Sequence, residues 1–517
     1  MLTDETSLAY TYDDAGQLSS ETLQAYASNG PQAVQYTYDL DGNRQTLTYP
    51  SGYSVTADYT ARNQLRSLTA GTAVPAAYVY DLAGNRTSKQ LENGTSVEYG
   101  YDFANRIEHI AQRAGTTTFA DLNYGYDEVK RRKYVKREDG RGDVYGYDAA
   151  DQVTGVQYNA QTPDTTSANP DRTQDFDYDP AGNRITSAEN SASTSYTRND
   201  LNQYTAVGAD QPTYDANGNL TQLNGTAYTY DAQNRLMTAT SAQSIDSFTY
   251  DARDRCIRRA NSVKDSERPY YGEYYVYDGW NLIEEQNTTS NTATRYVHGA
   301  EIDELILRRT PTLRTYYHQD ALGSTIAISS ATGTLLERYS YDVYGKPTFM
   351  DGSGNPLASS AKGNRFLFTG REWLANAQLY DYRNRAYSAS LGRFGQVDPI
   401  RFSARDSNLY RYVFNQPTQL RDSFGLRCVC EGAGKWRWEA DGPEPSRVTF
   451  GPTPADDCNY IAAHRQWDMQ KKCTHCDDEG NPVVDHDCVN KRGGETLEAW
   501  AEISPCNSGW AGRGPRR

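Results

Sequence analysis

Seven of the eight cysteines fall between Cys428 and Cys506, and the preceding residues hold only Cys256. Cys473-x-x-Cys476 followed by His486-x-Cys488 supplies four side chains that could bind zinc, because thiolate and imidazole are the ligands that ion takes in tetrahedral sites. The same cysteines suit disulfides, which small exported units use when they cannot build a core. Seven is odd, so at most three internal bridges can form. A nucleophilic cysteine beside His464, His475 or His486 is a third reading. Disulfides lead, zinc is the alternative, and no other cofactor is expected. Outside this region His318 stands two residues from Asp320. No Ser or Cys nucleophile is set near it by motif, so it reads as a hydrogen-bonded structural histidine.

The elements that must position these residues are repeats. YTYDLDGNR from Tyr36, YVYDLAGNR from Tyr78, YGYDAADQV from Tyr145, FDYDPAGNRI from Phe176 and YTYDAQNRL from Tyr228 belong to one series, and the spacing is often 21 residues. Tyr-x-Tyr has the period of a strand, so both rings lie on one face. The Asp can bond backbone two residues on and start a turn. Gly-Asn tolerates positive φ, and the next strand opens with Arg or Leu. Each repeat is therefore a hairpin, and stacked hairpins make a long antiparallel sheet. The fold class is all-β, with a small Cys-rich C-terminal region. Arg44, Arg86, Arg106, Arg184 and Arg235 are placed to lie across ring faces. Most of these residues have sheet-building roles; a row of exposed rings could also stack on sugars.

The chain carries 52 Lys+Arg against 67 Asp+Glu, a net of −15, with 42 Tyr but 12 Phe. That balance argues against nucleic-acid binding by the repeats, which would need a basic surface. No apolar run is long enough to span a membrane. The N-terminus lacks a signal-peptide pattern and begins almost inside a repeat. The chain is expected to be a fragment, or to be exported by a signal upstream or by a dedicated system.

The series resembles the YD-repeat or RHS family, found in bacterial Rhs proteins, in the C component of insecticidal toxin complexes and in teneurins. The resemblance runs from about residue 9 to 426. It implies hairpins coiled into a hollow shell around a cargo or the chain's own C-terminal segment. Residues 1–294 are the repeats. Residues 295–426 resemble the RHS-associated core that plugs the shell, through His318-Gln319-Asp320, Phe368-Thr369-Gly370-Arg371-Glu372, Arg383-Asn384-Arg385, Gly392-Arg393-Phe394 and Asp398-Pro399. Residues 427–517 form the variable tail.

In that family two Asp motifs at the end of the core act together as an aspartyl protease that cuts after a Leu. The resemblance carries these roles to Asp398 and to Asp422 in Asp422-Ser423-Phe424-Gly425-Leu426. The scissile bond is then Leu426–Arg427, and Arg393 resembles a family Arg that stabilises developing charge. Arg401 stands where the first motif usually has Gly, and Ser423 where the second usually has Pro. Without cleavage, both aspartates simply start turns.

The implied function is the C-terminal part of an Rhs-type polymorphic toxin, secreted or at the cell surface. Its partners are its own tail as enclosed cargo and an immunity protein. The alternative is a secreted or surface adhesion protein that binds cell-surface carbohydrate and has no toxin activity.

Overall fold

In this computed structural model, the described residues are 6–25, 30–165, 169–263, 271–287, 290, 292–404 and 406–426, together with the backbone of short strand segments beyond 426. The tail's candidate ligands therefore fall outside the description: Cys473 and Cys476 bound a four-residue strand segment whose side chains are not described, and His486 and Cys488 lie beyond it.

The regular structure of the described chain is β apart from short 3-10 turns at Phe368–Gly370, Arg401–Ala404 and Val413–Asn415, with irregular backbone after Leu357 and after Phe394. A first sheet of 18 strands runs from Thr6–Tyr12 to Tyr204–Val207, and a second of 15 runs from Thr213–Tyr214 to Pro356–Leu357. In both, each strand pairs antiparallel with its sequence neighbour. Strand Thr292–His298 carries the second sheet across residue 294, so the change of sequence pattern there does not interrupt the sheet.

One turn explains the repeat. The Asp that ends each YxYD aims Oδ1 at the N–H groups two and four residues on: Asp39 at Asp41 and Asn43, Asp148 at Ala150 and Gln152, Asp231 at Gln233 and Arg235. The residue three after the Asp is left-handed, as in Gly42, Asn105, Gly182 and Asn234, a conformation that Gly and Asn adopt at least cost.

The two tyrosines have different work. The first ring is core: Tyr36, Tyr78, Phe176, Tyr228 and Phe248 are buried, and Phe serves there as well as Tyr. The second lends its hydroxyl to the carbonyl that opens the return strand of the preceding repeat: Tyr59 to Arg44, Tyr80 to Leu65, Tyr101 to Arg86, Tyr147 to Arg132, Tyr250 to Leu236. Here the hydroxyl itself is used, and repeats are stitched to repeats.

The arginines sort by spacing. At five residues past the Asp, Arg44, Arg86 and Arg184 lie over the first ring of their own repeat, Tyr36, Tyr78 and Phe176. At four past, Arg106 and Arg235 lie over the second tyrosine of the next repeat, Tyr126 and Tyr250, and pair back to their own Asp. A one-residue step reverses the face of a strand, so one residue type does two jobs.

The second sheet is covered on both sides. Val276, Ile283, Val297 and Ile306 pack against Val34, Leu47, Val55 and Leu68 of the first sheet. The alternate residues Tyr275, Leu282, Tyr296 and Leu305 face a cluster built from Phe366, Leu367, Leu379, Tyr380, Tyr387 and Tyr412. The ribbon thus rolls over itself around residues 366–420. The core segment packs inside the repeats: Asn415 bonds Gln152 and the Gly182 carbonyl, Tyr410 the Gly218 carbonyl, and Asn408 the Ala181 carbonyl.

Candidate functional site

Asp398 and Asp422 converge on one nitrogen. Arg385 Nη2 lies 3.0 Å from Asp398 Oδ2 and 3.3 Å from Asp422 Oδ2, with all three side chains almost fully buried. Each carboxylate also does what the turn reading requires. Asp422 Oδ1 accepts the N–H groups of Phe424 and Leu426, two and four residues on, and Gly425 is left-handed at φ +65°. The stretch DSFGL is therefore the same turn as DLDGN at Asp39. Asp398 Oδ1 accepts the Ile400 N–H, its carbonyl accepts the Arg401 N–H, and Arg401 takes φ +52°. A left-handed arginine explains why Gly suits that position; the exposed side chain lets Arg occupy it at a backbone cost. One oxygen of each aspartate builds a turn and the other meets Arg385.

Burial pushes the Asp398 carboxyl up to about 6; Arg385 works against the shift and Asp422 adds to it. A carboxyl group in that range is poised to hold or yield a proton near neutrality, as paired carboxylates are when both cannot easily ionise.

The backbone before the Leu426 carbonyl is held residue by residue. Arg383 Nη1 donates to the Ser423 carbonyl. Asn384 donates to the Phe424 carbonyl through its backbone N at 3.2 Å and Nδ2 at 2.8 Å. Arg385 Nε donates to the Gly425 carbonyl at 2.5 Å. A Cβ on Gly425 would stand 2.5 Å from the Tyr382 carbonyl, so only glycine fits. Behind these, Asp303 Oδ1 meets Arg383 at 2.6 Å and Arg371 at 2.8 Å. Those guanidiniums hold the Asp303 carboxyl below its ordinary value, while burial and Arg371 bring Arg383 down to about 10.

Arg393 is engaged elsewhere. Its guanidinium lies 3.7 Å over the Tyr204 ring and donates to the Asn202 carbonyl and Asn183 Oδ1. The arginine at the carboxylates is Arg385, in the Arg383-Asn384-Arg385 stretch; no spacing rule distinguishes it from its neighbours along the chain. His318 is buried, its Nε2 2.8 Å from Ser329 Oγ and its ring edge-on to Phe119, and burial lowers it to about 3. Among the described residues no group of three His, Cys, Asp or Glu side chains is placed to hold a metal, and no helix is long and apolar enough to cross a membrane.

Comparison with known proteins gives one family model, the teneurin YD-shell, matching residues 142–417, more than half the chain. The tRNA nuclease WapA of Bacillus subtilis strain 168 is 29% identical over 263 residues, which are 48% of this chain and 11% of the nuclease. Salivary gland surface protein 1 of Aedes aegypti is 33% identical over 196 residues, 35% of this chain and 5% of that protein. Among solved structures, TcdB2-TccC3 superposes with a TM-score of 0.67 at 19% identity, over 81% of this chain and 24% of that one. The Photorhabdus luminescens Tc holotoxin pore superposes equally well, over 81% of this chain and 23% of that one. This chain thus spans about a tenth of the curated nuclease and about a quarter of the solved chains.

Proposed function

The chain belongs to the teneurin YD-shell family, and from that premise we propose that it is the closing part of a toxin-type shell that cuts itself after Leu426. The observation that carries the reading is the meeting of Asp398 and Asp422 on Arg385 beside a backbone clamped up to Gly425. Asp422, with Oδ1 accepting two N–H groups, is the carboxylate that takes a proton from water. Asp398 keeps its proton and polarises the Leu426 carbonyl. The hydroxyl bonds to the carbonyl carbon and the C–N bond to Arg427 breaks. The proton taken from water passes to the leaving amine.

The tail, residues 427–517, is the cargo. Its seven cysteines and lack of YxYD units set it apart from the shell. The likeness to a nuclease named WapA and to a Tc holotoxin supports a toxic tail in a secreted or surface-displayed protein. An immunity protein is the partner such a tail would need.

The test is expression of the full chain and of Asp398→Asn and Asp422→Asn. Dividing the 57.8 kDa mass by residue share gives pieces of about 48 and about 10 kDa on a denaturing gel. The smaller piece should begin at Arg427, and each substitution should leave the chain whole. Wild-type protein that folds and stays whole refutes the reading. Growth arrest on cytoplasmic expression of residues 427–517 tests the cargo separately.

A further inference from the structure

We infer that the seam between the two large sheets carries an acid-sensitive latch, in which protonation of His318 loosens the first sheet from the second. His318 lies fully buried on strand Arg314–Gln319 of the second sheet. Its ring meets Phe119, on strand Thr117–Tyr126 of the first sheet, edge-on at 4.8 Å. Its Nε2 lies 2.8 Å from Ser329 Oγ, and that oxygen accepts a hydrogen bond from Asn93 Nδ2 at 2.8 Å. Asn93 stands in the turn between strands Arg86–Leu91 and Thr95–Tyr101 of the first sheet, and its Nδ2 also donates to the Ser330 carbonyl at 2.8 Å. The histidine thus ends a hydrogen-bonded chain that crosses from sheet to sheet. The latch is independent of whether the chain cuts itself.

This chain suits a neutral imidazole and not a charged one. In the charged ring both nitrogens donate. Nδ1 is buried without a hydrogen-bond partner, so the charged ring has one oxygen, shared with Asn93, for two N–H groups. The charges nearby are of the same sign. Lys89, buried and bonded to Glu304 at 3.0 Å, repels a second cation at the ring. Arg338 stands in the same cross-strand row through Ala327 and donates to the Phe119 carbonyl at 3.0 Å. The other side chains in contact, Asn93, Phe119 and Ser329, do not titrate. Burial and Lys89 hold the imidazole down at about 3. Against burial, which raises it, Arg86 and Lys89 bring the Glu304 carboxyl down to about 2, so Glu304 keeps its charge between pH 7 and pH 5. Within that window His318 is the group of the latch that answers to acid. A base held below its ordinary 6.5 favours the closed seam fully above that value, and the advantage is lost as the pH falls toward 3. With the imidazole of the open seam at 6.5, opening becomes about 25-fold more favourable from pH 7 to pH 5. Apolar packing and the Arg44–Asp278 pair join the sheets elsewhere, so the effect is a loosened seam and not loss of the fold. A shell built this way stays closed at neutral pH and loosens in an acidic compartment.

The experiment is amide hydrogen exchange of the full chain at pH 7 and pH 5, corrected for the intrinsic pH dependence of exchange. It compares wild type, His318→Gln and Lys89→Met. Protection is followed in strands Arg86–Leu91, Thr117–Tyr126 and Arg314–Gln319, which meet at the seam. Strand Thr226–Tyr230 is the reference, because Tyr228 packs on residues 366–420 and bonds the Ala377 carbonyl instead. In wild type, protection of the three seam strands should fall about 25-fold from pH 7 to pH 5 while the reference holds. In His318→Gln, which keeps a polar side chain but cannot titrate, the fall should be less than about threefold. Lys89→Met keeps the imidazole and removes the cation that opposes its charging, so its fall should be smaller than in wild type. The inference is overturned by wild-type protection that holds at pH 5, by His318→Gln losing as much as wild type, or by an equal loss in strand Thr226–Tyr230, which is acid unfolding of the whole chain. Where His318→Gln does not fold, Lys89→Met decides in its place, and a loss as large as in wild type overturns the inference.

Discussion

Replacing Asp398 by Asn should stabilise the protein, and more so as the pH rises. Burial raises the Asp398 carboxyl from 3.8 to about 6 in the folded chain. A rise of about two pH units corresponds to about 3 kcal/mol. The sign follows from proton binding. Across this window the folded state holds the proton that the unfolded state has released. Asp398 therefore imposes no cost below the unfolded value near 3.8, and its cost grows until the pH has passed about 6. Asn mimics the protonated acid at every pH. Between pH 4.5 and pH 7.5 its advantage should grow by about 2 kcal/mol, the remainder having developed below pH 4.5. Denaturant midpoints for the two proteins at both pH values give the comparison. Midpoints whose separation stays constant, or narrows toward pH 7.5, refute the burial argument. The same substitution abolishes cleavage under the proposed function, so the residue that costs stability is the residue that does chemistry.

Two further predictions concern residues that local geometry singles out. Tyr80→Phe should cost about 1 kcal/mol, since it removes the bond to the Leu65 carbonyl at 2.8 Å. Tyr78→Phe should cost nothing or stabilise, because the Tyr78 hydroxyl is buried without a hydrogen-bond partner. Paired denaturant melts decide both, and equal losses would refute the division of labour between the two tyrosines. Arg401→Gly should raise stability by about 1 kcal/mol by relieving a left-handed arginine whose side chain is exposed, with cleavage as fast or faster on the gel.

The hairpin was legible because everything it needs lies within a few residues. Asp, a left-handed Gly or Asn three positions on, and rings at period two are local chemistry, so the repeat can be read from Tyr36 to Tyr228 without coordinates. The all-β class and the ring-stacked arginines follow from the same spacing, and Arg44, Arg86, Arg106, Arg184 and Arg235 all lie over rings. Even the turn at Asp422 is spelled in the repeat's own grammar.

What the sequence could not decide is which distant residues meet. Asp398 and Asp422 reach one nitrogen because strand Ala386–Ser388 and its neighbours form a small sheet of their own packed against the rolled second sheet, and that burial is also what lifts Asp398. Arg385 and Arg393 look alike in sequence, each an arginine just before an apolar or aromatic residue. The packing of Tyr204 and Asn183 claims one guanidinium, and the paired carboxylates claim the other. Turn chemistry acts over a few bonds and is written in order along the chain. Charge pairing and burial act across space, so they exist only once the ribbon has rolled over its own core.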